Sequence, residues 1–361
     1  MIATASRTPT LRANYIIACT FDAHLRQAAG NGPRLNIVND VDTLRPSLDF
    51  QFITKNVIGA GVEPVDTDAV VGCGARKPGA PQRCRPDMGQ NIGCEYTKVC
   101  DCLEYAAVDE KRLNEEEKVL YATGEVAGLP KRFPYLQEKR GGPKTLQSFY
   151  LNSRAPIYEC NPRCACGSNC KTRNVQHGRQ VPLEIFKTKN RGWGLRCLED
   201  LHQGQFIDTY VGEIITNEEA DRREARAGAG KASYLYSLDK EVCTTCGDGC
   251  HSIQCLTPED CYVVDGEFMG NVTRFINHSC QPNCRQYTVS YNKYDRRVYE
   301  LAFFAYVDIL KGTELTFDYM DQDDVEVSVE EQGELDKSAQ PCMCDAKKCR
   351  GSFGFTTYKK E

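Results

Sequence analysis

The stretch that decides the fold is Arg274-Phe-Ile-Asn277-His278-Ser-Cys280-Gln-Pro-Asn283-Cys284. Asparagine, histidine and cysteine packed this closely favour a tight polar turn of the backbone rather than a regular helix or strand. The stretch lies inside a region, residues 181–320, where short apolar runs alternate with turn-forming residues. This pattern predicts a compact domain that is mainly β with a few helices.

Two groups of cysteines lie upstream of that domain, and their spacing indicates metal binding. Nine thiols are too few for three separate four-cysteine zinc sites, but they suffice if three sulfurs each bridge two ions in a three-zinc cluster. The alternative is a secreted disulfide framework, which the odd count and the lack of an apolar leader disfavour. The nine are Cys73, Cys84, Cys94, Cys100 and Cys102, followed by Cys160, Cys164, Cys166 and Cys170.

The composition narrows the class of protein and its partners. The 361-residue chain is 41% hydrophobic and 26% charged, which is typical of a globular protein of two or three domains. No apolar run is long enough for a membrane span. The net charge of −5 becomes more negative once thiolates bind zinc, so we expect a basic peptide substrate rather than direct sequence-specific DNA binding.

Changes in residue type along the chain predict five segments. A helix is expected near Thr216, because Thr216 and Glu219 form a capping-box pair. The predicted order is an N-terminal segment that packs on the core and whose start is disordered (1–65), a zinc cluster (66–180), a β-rich domain (181–320), an acidic linker (321–340) and a cysteine tail (341–358).

A further cysteine-rich insert interrupts the β-rich domain. Its Cys-x-x-Cys step permits an additional zinc ion, and the alternative is a loop with free or partly buried thiols. Metal analysis distinguishes these, since the count would rise from four ions to five. The residues are Cys243, Cys246, Cys250, Cys255 and Cys261.

Four ordered motifs resemble a known family. They are Arg191-Gly192-Trp193-Gly194, the stretch from Arg274 to Cys284, Glu314-Leu-Thr-Phe317-Asp318-Tyr319, and Cys342-x-Cys344-x4-Cys349. With the nine upstream cysteines, they resemble the SET-domain protein lysine methyltransferases of the suppressor-of-variegation class, which methylate lysine 9 of histone H3. The match covers residues 35–358, and fungal members are the most similar.

This resemblance implies a fold and a set of roles. Small β-sheets would surround a pseudoknot, flanked by a three-zinc pre-SET cluster and a single-zinc post-SET tail formed by Cys280, Cys342, Cys344 and Cys349. Catalysis is assigned to Tyr319, with Tyr210 supporting the reacting centre. The residues implied to bind S-adenosylmethionine (AdoMet) are Arg191, Gly192, Trp193, Tyr234, Arg274, Asn277 and His278.

The substrate channel implied by the resemblance bears on product number. Phe317 and Tyr236 would line it, and Asp239 matches an acidic position that reads an arginine beside the target lysine; the alternative for Asp239 is a solvated acid. In the family, phenylalanine at the Phe317 position leaves room for an already methylated amine, so we expect trimethylation. Relatives carry phenylalanine where this chain has Tyr236, and the extra hydroxyl leaves a dimethyl product as the alternative.

The resemblance also implies partners and a location. The substrate would be the N-terminal tail of histone H3, and the setting would be nuclear chromatin, with a role in heterochromatin and gene silencing and a separate targeting partner. Relatives place a tryptophan after the last cysteine, where this chain offers Phe353 or Phe355. Two alternatives remain: methylation of another histone or non-histone lysine, and a zinc chromatin-binding module that has lost catalysis.

Overall fold

A computed structural model describes residues 11–63, 70, 72, 101–104, 106–137, 142–168, 170–227, 234–240, 256–292, 295, 297–320 and 340–353. Among these residues the chain forms many short β-strands and four α-helices, which confirms the mainly β prediction. None of the described helices combines the length and apolarity needed to cross a bilayer.

The elements are short, and turns separate them throughout. The helices are α1 (Leu11–Ala29), α2 (Glu115–Ala122), α3 (Ser148–Ser153) and α4 (Asn217–Ala227). The strands are β1 (Leu35–Val38), β2 (Gln51–Phe52), β3 (Val57–Ile58), β4 (Tyr135–Leu136), β5 (Thr145–Leu146), β6 (Ile157–Tyr158), β7 (Leu183–Lys187), β8 (Trp193–Cys197), β9 (Phe206–Tyr210), β10 (Glu213–Thr216), β11 (Leu235–Ser237), β12 (Tyr262–Asp265), β13 (Met269–Gly270), β14 (Asn277–His278), β15 (Cys284–Ser290), β16 (Glu300–Ala305), β17 (Thr316–Phe317), β18 (Gln340–Pro341) and β19 (Ser352–Phe353).

Three sheets form the body of the molecule. Their strand orders are β1-β7-β8, β11-β12-β10-β3 and β6-β15-β16-β9. Strands β12 and β16 are buried at nearly every position, because other layers cover both of their faces. The core between the sheets is aliphatic and aromatic, and it includes Leu183, Ile185, Leu195, Ile214, Val264 and Phe303.

The N-terminal segment contains a helix that the sequence analysis did not predict. The hydrophobic patterning of residues 1–34 is weak, yet α1 spans most of that range. Its buried side chains include Phe21 and Leu25, four residues apart, and the Phe21 ring lies 5.6 Å from that of Phe52. So narrow an apolar face lacks the broad stripe by which helical periodicity is recognised. Residues 1–10, the expected disordered start, lie outside the described part of the chain.

The predicted helix near Thr216 is confirmed. Helix α4 begins at Asn217, and the Thr216 hydroxyl accepts a hydrogen bond from the backbone N–H of Glu219 at 3.3 Å. This bond satisfies one of the donors that every helix leaves open at its N-terminus.

The motif around Asn277 lies directly against the motif around Phe317. Strands β14 and β17 pair in parallel, with Asn277 opposite Thr316 and His278 opposite Phe317. The backbone N–H of Ser279 donates to the Phe317 carbonyl at 3.0 Å, which extends the contact past the paired residues. Two segments distant in sequence therefore meet at the place where both carry polar and aromatic side chains.

Candidate active site

Aromatic side chains converge beside the β14–β17 contact. The Phe317 ring lies 4.8 Å from that of Tyr319 and 4.9 Å from that of Phe303, and the Tyr210 and Tyr236 rings are 6.1 Å apart. Tilted and edge-on contacts of this kind are the geometry that aromatic rings prefer. The structure thus brings together four aromatic residues that the sequence assigned to catalysis or to the channel, and adds Phe303.

Both catalytic candidates are neutral phenols held by backbone carbonyls. Tyr319 donates to the Ile276 carbonyl at 2.9 Å, and Tyr210 donates to the Tyr234 carbonyl at 2.7 Å. Burial raises the pKa of Tyr319 and that of Tyr210, because the charged phenolate loses its hydration. At neutral pH the two hydroxyls can therefore orient a reactant as fixed dipoles, but they cannot serve as bases.

A glycine that the sequence did not single out holds Tyr210 in place. A Cβ atom on Gly266 would lie 2.3 Å from the Tyr210 hydroxyl oxygen, so no other residue fits without displacing the ring. The Gly266 N–H also donates at 3.1 Å to the Tyr234 carbonyl that receives the Tyr210 hydroxyl. Close backbone approach of this kind leaves no local sequence signal.

The first AdoMet-contact motif forms a tight turn. Gly192 has φ of +70°, a left-handed conformation that favours glycine. Thr188 closes the turn: its hydroxyl accepts from the Arg191 backbone N–H at 2.9 Å and donates to the Gly192 carbonyl at 3.1 Å. The turn brings the Arg191 side chain and the Trp193 carbonyl to the same side of the site.

Glu314, which was quoted in a motif but given no role, joins two predicted AdoMet ligands. Its carboxylate pairs with Arg191 at 2.6 Å and accepts from the Asn277 amide at 2.8 Å, and that amide also donates to the Trp193 carbonyl at 3.1 Å. The Nε and Nη1 atoms of Arg191 are buried and have no partner among the described residues. Buried donors without acceptors carry a large desolvation cost, so they indicate a site for an anionic group.

Arg274 lies between two aromatic rings. Its guanidinium carbon is 4.3 Å from the Phe50 ring centre and 4.4 Å from that of Tyr234. Its Nε and Nη2 donate to the carbonyls of Gly266 and Glu267 at 3.2 and 3.1 Å. Arg274 therefore braces Tyr234 against the N-terminal segment through Phe50, a residue that the sequence analysis did not identify.

His278 connects a cysteine to the catalytic candidate. Its Nδ1 accepts from the Tyr319 backbone N–H at 3.2 Å, and its Nε2 lies 3.4 Å from the Cys280 sulfur. Burial lowers the pKa of His278 to about 4, although the nearby Asp318 carboxylate opposes the shift. The imidazole is therefore neutral, and because Nδ1 accepts, the proton is on Nε2 and faces the sulfur.

The remaining channel candidates lie on or next to β11. Tyr236 donates its hydroxyl to the Gln286 Oε1 at 2.6 Å. Asp239 is exposed and close to Cys261, whose pKa is raised to about 11 by burial first and by the Asp239 carboxylate second. Asp239 thus carries its charge at the surface, beside a stretch that lies outside the described residues.

The post-SET cysteines come together as a four-sulfur group. The sulfurs of Cys280, Cys342, Cys344 and Cys349 all lie within 4.8 Å of one another. Burial opposes ionisation of Cys344, yet hydrogen bonds from neighbouring backbone groups and thiols hold its pKa below the usual value. Four thiols at these separations could hold zinc in the tetrahedral arrangement it prefers.

The described pre-SET cysteines form two overlapping groups of three. One contains Cys102, Cys160 and Cys164, and the other Cys160, Cys166 and Cys170. Cys160 belongs to both, which is the arrangement expected of a sulfur that bridges two ions. The Thr172 hydroxyl, 2.9 Å from its sulfur, supplies an outer contact. These groups could hold zinc.

Several predicted residues lie outside the described part of the chain, so their placement stays a prediction. They are four of the pre-SET cysteines, four of the insert cysteines, most of the acidic linker and the aromatic side chains of the tail: Cys73, Cys84, Cys94, Cys100, Cys243, Cys246, Cys250, Cys255, residues 321–339, Phe353 and Phe355.

Two chain segments that meet beside convergent tyrosines and a four-cysteine group define a SET-type protein. A family model described as SET domain matches residues 192–320, and one described as Pre-SET motif matches residues 28–173. A histone-lysine N-methyltransferase of Fusarium mangiferae, H3 lysine-9 specific KMT1, is 38% identical over 88% of this chain and 87% of its own length. The dim-5 protein of Neurospora crassa, of the same description, has equal identity and coverage. The chain belongs to the SET-domain family of histone-lysine N-methyltransferases.

Solved structures agree with this assignment. The Neurospora SET-domain protein DIM-5, described as a histone lysine methyltransferase, is 34% identical, covers 86% of this chain and all of its own, and superposes with a TM-score of 0.61. Arabidopsis thaliana SUVH6, solved in complex with SAM, is 30% identical, covers 88% of this chain and 52% of its own, and gives a TM-score of 0.56. The SET fold and the enzyme class predicted from the sequence are confirmed.

Proposed function

We propose that this enzyme transfers methyl groups from AdoMet to lysine 9 of histone H3 and continues to the trimethyl state. The observation that carries the proposal is the aromatic channel, where Phe317 lies beside the neutral phenol of Tyr319. Relatives that match over most of their length are named for H3 lysine-9 specificity, which supports the choice of substrate. The acidic chain suits a basic peptide.

The residues of the first motif fit AdoMet. AdoMet supplies an electrophilic methyl group on a sulfonium, and it also carries a carboxylate. The two unpartnered nitrogens of Arg191 are suited to that carboxylate. Because the Arg274 donors bond to the backbone, we propose that Arg274 acts on the cofactor by positioning Tyr234. The full set proposed to hold the cofactor is Arg191, Gly192, Trp193, Tyr234, Arg274, Asn277 and His278.

The protein's part in the reaction is to present an uncharged amine. A free lysine has a pKa of about 10.4, so deprotonation at pH 7 costs roughly 4.6 kcal/mol. Aromatic rings around the channel disfavour the ammonium by desolvation, and the proton leaves to solvent because neither phenol can accept it. The Tyr319 hydroxyl, fixed by the Ile276 carbonyl, then orients the amine and stabilises charge that develops during transfer.

The pH dependence follows from these protonation states. We expect log kcat/KM to rise with a slope of about 1 from about pH 6 to pH 9, as the fraction of neutral lysine grows. Burial raises the pKa of Tyr319 and lowers the pKa of His278 to about 4, so neither residue changes protonation in that range. Initial rates with a saturating methyl donor in constant-ionic-strength buffers test this. A falling limb below pH 9 would contradict it.

We further propose three zinc ions in the pre-SET cluster and one in the post-SET site, with a nuclear, chromatin location. Support comes from Cys160, which belongs to both described pre-SET groups, and from the four-sulfur group at the tail. A role in heterochromatin silencing and a separate chromatin-targeting partner are also part of this proposal. The five segments bounded at residues 65, 180, 320 and 340 remain our proposal for the organisation of the chain, and the insert cysteines remain candidates for a fifth ion.

The decisive experiment is a methylation assay on H3 tail peptides with each lysine replaced in turn. Label from radioactive AdoMet should disappear when lysine 9 is replaced and persist for every other replacement. The Tyr319→Phe variant serves as the inactive control. If the peptide lacking lysine 9 is still labelled, the substrate assignment is wrong. If the chain labels other proteins but no H3 peptide, it acts on a different substrate.

A further inference from the structure

A partly buried hydrogen bond joins the lysine channel to a neighbouring sheet. Tyr236 lies on β11, and its hydroxyl donates at 2.6 Å to the side chain of Gln286 on β15. The two strands belong to different sheets. Gln286 also faces Phe303 across the β15–β16 pair, and the Phe303 ring contacts that of Phe317. The glutamine therefore lies directly behind the aromatic channel.

Gln286 is an unusual residue for this position. It is 3% exposed, and its Nε2 has no partner among the described residues. A buried amide donor without an acceptor is destabilising, and an aliphatic side chain would avoid that cost. Buried polar groups that lack a hydrogen-bond partner tend to mark functional positions. At the other end of the same amide, the Gln286 Oε1 accepts a hydrogen bond from the Tyr236 hydroxyl.

We propose that Gln286 is a positioning residue that sets product number by holding the hydroxyl proton of Tyr236. A phenol has one proton to donate. While that proton is bonded to Gln286, it cannot bond to a water in the channel or to the lone pair of a methylated amine. This inference rests on the proposed function, and it explains how a channel with a second tyrosine can still make a trimethyl product.

The chemistry of the last transfer makes this proton important. The nitrogen of dimethyl-lysine attacks with its lone pair, forms the third N–CH3 bond and becomes a quaternary ammonium, while the methyl–sulfur bond of the donor breaks. A phenol that donated to that lone pair would compete with the attack. A water held by the phenol would occupy the volume that the third methyl group needs. Either effect would slow the third methyl transfer more than the first.

The test compares Gln286→Leu with Tyr236→Phe and with the double variant. Leucine fills a similar volume but removes the acceptor for the Tyr236 proton, so Gln286→Leu should stop at dimethyl-lysine, with the third transfer slowed at least tenfold. Tyr236→Phe changes a channel residue and is expected to alter the rate, but its final product should remain trimethyl-lysine. The double variant should regain trimethylation because the interfering hydroxyl is gone. Thr288→Val is the matched control, since Thr288 is a buried polar residue two positions along β15 and should keep the wild-type product.

Mass spectrometry of an H3 peptide taken to completion gives the products, and AdoMet binding and thermal unfolding verify that each variant is folded. If Gln286→Leu still trimethylates, or if the double variant stays at dimethyl-lysine, the inference is wrong while the proposed function stands. A wild-type enzyme that stops at dimethyl-lysine overturns both the trimethyl proposal and this inference. A wild-type enzyme that methylates no peptide overturns the proposed function, and the inference falls with it.

Discussion

Replacing Tyr319 with phenylalanine is expected to lower kcat by about 100- to 1,000-fold and to leave the fold intact. The hydroxyl that is removed is the one fixed by the Ile276 carbonyl at 2.9 Å, and the ring keeps its contacts with Phe317 and His278. Because burial keeps the pKa of Tyr319 high, the loss is that of an oriented dipole rather than a base. Single-turnover rates, AdoMet affinity and the melting temperature should be measured together.

The Tyr287→Phe variant is a matched control, because it shows what the loss of a buried hydroxyl outside the channel does to activity and stability. Tyr287 also donates to a backbone carbonyl, that of Leu151 at 3.0 Å, but it lies in a core cluster without the channel aromatics. Tyr287→Phe should cost about 0.5–1.5 kcal/mol of stability and leave kcat near the wild-type value. If Tyr319→Phe retains kcat within tenfold, or if both variants lose activity equally, Tyr319 is a structural phenol.

Much of the fold was predictable because its signals are local. Strands β1 (Leu35–Val38) and β12 (Tyr262–Asp265) coincide with short runs of mostly apolar residues bounded by turns, the pattern that identifies strands in a sequence. Helix α4 begins where Thr216 supplies a cap. Helix α1 was missed because its buried face is narrow and much of its surface is polar or exposed.

The site shows the same division between local and distant signals. Asn277 and Tyr319 were identified from motifs, and the structure places them on the two segments that meet. Gln286, Gly266 and Glu314 were not assigned roles, because each acts through a contact with a residue more than 25 positions away. A single sequence carries no record of such pairs. Only the folded chain shows that a buried glutamine faces a channel tyrosine.

Disrupting the proposed post-SET zinc site is expected to lower the methylation rate strongly and the melting temperature only slightly. The Cys342→Ser variant removes one of four sulfurs from a group that includes Cys280. His278 connects Cys280 to the backbone of Tyr319. Its Nε2 lies 3.4 Å from the Cys280 sulfur, and its Nδ1 accepts from the Tyr319 N–H at 3.2 Å. A second connection runs through Arg350, whose N–H lies 3.4 Å from the Cys280 sulfur and whose guanidinium pairs with Asp318 at 2.6 Å.

Both connections end at or next to Tyr319, the proposed catalytic tyrosine, so a metal ion that held the tail would also hold the Tyr319 hydroxyl in place. Mutating an outer contact of a metal ligand typically costs about 10- to 100-fold in metal affinity or activity. Cys342→Ser removes a proposed ligand itself, so we expect it to release one zinc ion and to lower kcat/KM by at least about tenfold. Cys19→Ser is the control, because Cys19 is exposed on α1 and lies outside every described cysteine group.

The pre-SET variant Cys160→Ser should instead release more than one ion and lower the melting temperature strongly, because Cys160 belongs to two groups.

Metal analysis, calorimetry and peptide methylation of these three variants distinguish a catalytic tail from a purely structural one. If Cys342→Ser loses its zinc but keeps its wild-type rate, the hydrogen-bond connections through His278 and Arg350 do not control Tyr319. If the fall in methylation rate relative to the fall in melting temperature is the same in Cys342→Ser as in Cys160→Ser, the post-SET zinc only holds the fold together. The expected result lies between these outcomes: a folded enzyme that still binds AdoMet and has lost the fixed position of one hydroxyl.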